Sequence, residues 1–234
     1  MDGSVEQPLV AVRVETTRSR GALDRDEQQV KDGILRMGSL VETQIRSAIR
    51  SLVDHDRDLA IAVIANDGAV NDAQRVVNEA VAITIATQSP VARDLRFLLA
   101  LHHIGYELER IGDHATSVAK QARNLSAERS LPAVSELGRM GGIAADMVRS
   151  ILDAVVAIDD QVAREVAKRD DEIDHGYHKV FADVVKVMTA DPGAVDRGTR
   201  LILVAHWIER IGDRVTNIAE DIVYLATGDV EDLN

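Results

Sequence analysis

The five residues Glu-Arg-Ile-Gly-Asp occur twice in this chain, at Glu109–Asp113 and at Glu209–Asp213, and the repetition reaches well beyond them. The flanks ERIGDHATSVAK and ERIGDRVTNIAE share seven of twelve positions. Upstream, RMGSLVETQIRS (Arg36–Ser47) aligns with RMGGIAADMVRS (Arg139–Ser150) at an offset of 103, and VIANDGAVN (Val63–Asn71) aligns with VAKRDDEID (Val166–Asp174) at the same offset. Pro90-Val-Ala-Arg-Asp94 then matches Pro192-Gly-Ala-Val-Asp196 at 102, and ERIGD follows at 100, a drift that small deletions near one helix start produce. Two copies of one unit require two similar halves.

The pattern inside each copy is helical. Leu101, Ile104, Leu108, Ile111, Ala115, Val118 and Ala122 recur at spacings of three and four, as do Leu201, Val204, Ile208, Ile211, Val215, Ile218, Ile222 and Leu225. Such stripes mark amphipathic helices with a bundle seam. Aromatics make up only 3% of the residues and prolines number four, so alanine and valine carry the apolar load and favour close-packed helices. No Asn-Gly or Asp-Gly hairpin lies between alternating strands, and Asp67-Gly68 falls within a helical pattern. Each half reads as a helix, a second helix, a proline-marked turn and a third helix, with proline suited to a helix start because it lacks an N–H there.

The predicted fold is therefore all-α: two tandem, pseudo-repeated three-helix bundles near residues 23–128 and 130–230, six long helices in all. SAERSLPAV (Ser126–Val134) is the expected junction, and residues 1–22, without periodicity, read as a loose tail. A chain of this length buries roughly 70–75% of its unfolded surface, enough for a core without staples.

A net charge of −12 argues against nucleic acid or anionic membrane as a direct partner and suits cations or a basic protein surface. There is no cysteine, which excludes disulfides and thiolate metal sites. The longest apolar run, Leu201–Ile208, falls far short of the ~20 residues of a membrane span. The start MDGSVEQPLVAVRV lacks the basic and apolar stretches of a signal peptide. A soluble cytoplasmic protein without membrane insertion is expected.

Residues four apart share a helix face, so Glu109 stands with Asp113 and Glu209 with Asp213. At ~100° per residue both pairs point away from their own apolar seam. Like charges at this spacing repel, and a divalent cation between them reverses the sign, so the pairs read as a hard-metal site of carboxylate oxygens. Asp67 and Asn71 in the second helix correspond to Asp170 and Asp174 in the fifth, and their phase lets them turn toward a neighbouring helix. The first half is weaker, because Asn71 offers a neutral oxygen where Asp174 offers a charge. A solvated acidic face, with Arg110 and Arg210 neutralising nearby acids, is the plainer alternative. Gly105 and Gly112 lie beside the seam and suit close helix approach. A ferritin-like carboxylate enzyme needs repeated Glu-x-x-His strings facing a core, and this chain has one, Glu172–His175. His102, His103, His114, His175, His178 and His206 show no ligand spacing common to both halves and are expected at the surface or rim. No nucleophile–base pair or glycine-rich phosphate loop is present, so no turnover is expected.

PVARDLR (Pro90–Arg96), both ERIGD copies and NIAED (Asn217–Asp221), in a duplicated three-helix arrangement, resemble the PhoU family of accessory regulators of bacterial high-affinity phosphate transport. The likeness covers nearly all of the chain after the tail. It implies two pseudo-repeated three-helix bundles carrying multinuclear metal sites on E(D)xxxD motifs, with iron, zinc, manganese or magnesium as candidates. On this chain those motifs fall at Glu109/Asp113, Glu209/Asp213 and Asp170/Asp174, and only partly at Asp67/Asn71. The second half departs from the D-L-R string, reading Asp196-Arg-Gly-Thr-Arg200. The resemblance further implies a negative regulator of the phosphate-starvation (Pho) regulon. Its partners would be the ATPase subunit of the phosphate ABC transporter and a membrane sensor histidine kinase. The apolar edges of such a slab suit a homodimer.

Overall fold

The computed structural model describes residues 9–233, with side chains from Arg20 onward. Eight α-helices follow in order: α1 (Leu9–Val53), α2 (Arg57–Ala65), α3 (Gly68–Gln88), α4 (Arg93–Leu125), α5 (Ala133–Ala157), α6 (Asp160–Ala167), α7 (Asp170–Ala190) and α8 (Val195–Thr227). A 3-10 turn at Pro192–Ala194 leads into α8, and no strand occurs among the described residues. The six long helices are present, but the second of each half is broken: α2 and α3 are one helix interrupted at Asn66-Asp67, and α6 and α7 one interrupted at Lys168-Arg169. The two breaks are repeat mates. So are the aspartates that start each broken helix, Asp56 accepting from Leu59 N and Asp159 from Gln161 N and Val162 N.

Helix α1 runs from Leu9 through part of the stretch expected as a tail over residues 1–22, and residues 1–8 lie outside the described residues. The prolines also sit earlier than a first helical turn. Pro90 precedes Arg93, where α4 begins, and Pro192 opens the 3-10 turn ahead of α8. They end the preceding helix as much as they begin the next.

α1, α4, α5 and α8 form a central layer, with α2–α3 packed on α1 and α4, and α6–α7 packed on α5 and α8. All the seam residues named above in α4 and α8 are buried, except Leu225 at the end of the stripe, which is half-buried. The two halves meet along two antiparallel helix pairs, α1 with α5 and α4 with α8. The α1–α5 approach is set by the repeated Met-Gly string. A Cβ on Gly38 would stand 2.4 Å from Leu152 Cδ2, and one on Gly141 would stand 2.2 Å from Ile49 Cδ1. Each half thus presents a glycine socket that receives an aliphatic side chain of the other. Leu152 and Ile49 occupy equivalent places in the repeat.

The α4–α8 pair is polar by contrast. Glu107 is buried and accepts from Arg214 Nη1 at 3.4 Å and Asn217 Nδ2 at 3.3 Å, while His103 Nδ1 lies 2.7 Å from Asp221 Oδ2. That hydrogen bond raises the His103 pKa against the opposing effect of burial. His114, half-buried, is pushed down to about 4 by burial and by Arg214, Arg210 and Arg110. Of the two, His103 ties α4 to α8 through Asp221.

Candidate functional site

Both helix breaks place an aspartate against the ERIGD helix of the same half. Where α7 begins after its break, Asp170 is only 9% exposed. The other acids of this cluster, Asp174 on α7 and Glu209 and Asp213 on α8, range from exposed to half-buried. The ERIGD glycine makes room for this arrangement, since a Cβ on Gly212 would fall 2.0 Å from Asp170 Oδ1. That oxygen is buried and has no hydrogen-bond partner. Glu209 Oε2 is likewise without a hydrogen bond, although His206 Nδ1 lies 3.4 Å away. Of the four, Asp213 alone has a close arginine, with Arg210 Nη1 at 2.9 Å.

The electrostatics report how near these acids stand to one another. Burial, followed by repulsion from Asp174, Asp213 and Glu209, pushes the Asp170 carboxyl up to about 7. Glu209 is raised by burial and then by Asp213, and Asp174 by burial and then by Asp213. A buried carboxylate oxygen with no donor is costly unless a proton or a cation satisfies it.

In the first half, Asp67 stands at the break before α3 and is half-buried. Its Oδ1 accepts from Thr116 Oγ1 at 2.6 Å, and Thr116 in turn accepts from Gln44 Nε2 at 2.7 Å. Gln44 and Thr116 are both buried, so Asp67 is served by a donor relay running from α1 through α4. Glu109 is raised by burial and Asp113, with Asp67 adding a smaller repulsion. Asp113, which is exposed, is raised by burial and then by Asp67. The three acids are neighbours, and Asn71, half-buried, adds no charge to them. Gly112 is less constrained than Gly212, a Cβ there lying 3.2 Å from Gln44 Oε1.

Among the described residues, no group of three or more His, Asp or Glu is arranged to hold a metal ion as it stands. The donor chemistry nonetheless separates the halves. The second has four carboxylates and a buried oxygen lacking a partner, which suits a hard cation. The first has three carboxylates and an aspartate already satisfied. The Glu172–His175 string does not face a core: both residues are exposed, and His175 Nδ1 sits against the Asp171 carbonyl.

Sequence reasoning missed three participants: Gln44, Thr116 and the unpaired Thr216. Thr116 and Thr216 belong to the repeated T-x-[VI]-A continuation of ERIGD. Gln44 could have been found as a polar residue aligned with Met147, inside an apolar stripe.

A doubled three-helix bundle with paired carboxylates at matching helix breaks defines a class of duplicated all-helical proteins built around surface acid clusters. The PhoU domain matches residues 34–122 and 137–222. Similarity runs to a phosphate-specific transport system accessory protein PhoU homolog of Clostridium acetobutylicum, 36% identical over 217 residues, or 92% of this chain and 99% of that one. Among solved structures, PhoU from Pseudomonas aeruginosa superposes with a TM-score of 0.85 at 34% identity, covering 88% of this chain and 99% of the other. The phosphate transport system regulatory protein PhoU from Streptococcus pneumoniae gives 0.84 at 27% identity, covering 90% and 99%. This chain belongs to the PhoU family.

Proposed function

We propose that this chain is a non-enzymatic accessory protein of phosphate uptake that represses the phosphate-starvation response when phosphate is abundant. Its relatives, phosphate-specific transport system accessory protein PhoU homologs, support the phosphate connection. The finer reading is of a cytoplasmic, homodimeric adaptor joining the transporter's ATPase subunit to a sensor histidine kinase. No described helix is long and apolar enough to cross a membrane, so contact with either partner would be made as a docked protein.

The observation that carries the metal component is Asp170 Oδ1, buried and unpaired among Asp174, Glu209 and Asp213. These four residues would hold a divalent or transition metal, with the second half as the principal centre. When bound, the ion would neutralise the acids and draw α7 toward α8. Gly212 keeps the space for Asp170, and Arg210 competes for Asp213.

Metal content after purification tests this reading. Glu209→Ala/Asp213→Ala should remove most of the metal, and Glu109→Ala/Asp113→Ala much less. If both variants retain full metal, these acids are not ligands. A phosphatase rate abolished by the same substitutions would overturn the non-enzymatic reading. Binding to the ATPase subunit or kinase should weaken with salt, as docking through an acidic face requires.

A further inference from the structure

Three arginines gather at the α1–α5 junction of this acidic protein. A cavity of about 440 Å³ is lined there by Ser39, Glu42, Thr43, Arg46, Ser47 and Arg50 of α1 and by Arg149 of α5. Arg46 and Arg149 are repeat mates at an offset of 103, but Glu42 is matched by Ala145, so the arrangement exists once, between the halves.

Glu42 organises the basin. Its Oε1 accepts from Arg46 Nε at 2.8 Å and Arg149 Nη2 at 2.7 Å, and its Oε2 accepts from Arg149 Nε at 3.3 Å. Arg46 Nη2 is held by Asp146 Oδ1 at 2.6 Å. These bonds fix two guanidinium planes yet leave Nη1 of each without a partner among the described residues. The Arg50 guanidinium and the Ser47 hydroxyl have no partner among the described residues. Ser39 and Thr43 spend their hydroxyl protons on backbone carbonyls of α1. The basin therefore combines free N–H and O–H donors with one carboxylate. Burial raises Glu42, but hydrogen bonds from Arg149 and Arg46 outweigh that effect and hold it below the ordinary range.

We propose that this basin binds a protonated phosphate oxyanion. Arg46, Arg149, Arg50 and Ser47 would donate to the unprotonated oxygens, in the forked geometry for which guanidinium is suited. Glu42 would accept the P–OH proton through the remaining lone pair of Oε2. A carboxylate kept ionised can only accept, so it favours hydrogen phosphate and repels sulfate, which has no proton to give at neutral pH. This site is independent of the carboxylate clusters and of any metal there.

The test is calorimetric or amide-NMR titration of the full chain with inorganic phosphate and, separately, sulfate, at constant ionic strength with EDTA present. Saturable phosphate binding is expected, with sulfate weaker by roughly tenfold or more, because the acceptor is left facing a bare oxyanion. Arg50→Gln and Arg149→Gln should each weaken phosphate by roughly tenfold, the scale of a lost charge-assisted bond. Glu42→Gln should bring sulfate up to phosphate. Pyrophosphate serves as a third arm: preference for it over phosphate would identify a phosphate ester or anhydride as the source. Equal affinity of wild type for phosphate and sulfate, an absence of saturation, or an unaffected Arg50→Gln variant would each overturn the proposal. Arg50 has no partner among the described residues to lose, so that substitution leaves the fold intact.

Discussion

Asp67 and Asp170 occupy the same place in the repeat, yet their surroundings diverge. Asp67 receives a hydrogen bond from Thr116, itself supported by Gln44. At the equivalent positions of the second half stand Thr216, whose buried hydroxyl has no partner, and Met147, which has no donor to offer. Asp170 is left with an unpaired oxygen and a carboxyl raised to about 7. One replacement at a core position of the first helix thus accompanies a change in how a buried acid two helices away is satisfied. Duplication supplied two frames, and the polar residues behind each frame set how fully its aspartate is hydrogen-bonded.

The sharpest way to break this comparison is at the ERIGD glycines. Gly212→Ala drives a methyl group into Asp170 and should cost about 2–3 kcal/mol in urea denaturation, with loss of metal uptake. Gly112→Ala, where the nearest atom is 3.2 Å away, should cost about 1 kcal/mol. Equal costs would mean that the two breaks are packed alike.

A second contrast is in pH. The folded chain binds Asp170's proton more tightly than the unfolded chain does, so protonation favours folding. That contribution is complete below the ordinary carboxyl pKa of 3.8 and is lost as pH rises through about 7. Metal-free wild type should therefore lose stability across that window, and Asp170→Asn should flatten the slope and raise Tm at pH 8 by about 2–6 °C. Metal-free Asp67→Asn, where Oδ1 already accepts from Thr116, should show no comparable gain. An unchanged slope in Asp170→Asn would place the titrating group elsewhere.

The smallest contrast is between the threonines. Thr116→Val removes the donor to Asp67 and should destabilise by about 1–2 kcal/mol. Thr216→Val removes a buried hydroxyl that bonds to nothing and should be neutral or stabilising by up to about 1 kcal/mol. A cost for Thr216→Val as large as for Thr116→Val would show that both hydroxyls serve their aspartates.

Much of this architecture could be read from spacing alone. The ERIGD copies and their stripes located α4 and α8, and the string alignments marked the halves, because helical burial repeats with the helical turn. The acid pairs were visible for the same reason. The helix breaks were not: Asn66, Asp67, Lys168 and Arg169 all keep negative φ, and no proline marks either interruption. Nor does a pairwise spacing rule reveal that Asp170 is buried, since that depends on Gly212 across a helix interface.

The interlocking of Gly38 with Leu152 and of Gly141 with Ile49 works as a dovetail. Each tenon is seated in the opposite mortise, so sliding one bundle along the other must unseat both joints together. Graded slippage is thereby suppressed. Any signal carried from one end of the molecule to the other has to travel as a rigid tilt of the whole slab, or as a single release of both joints at once.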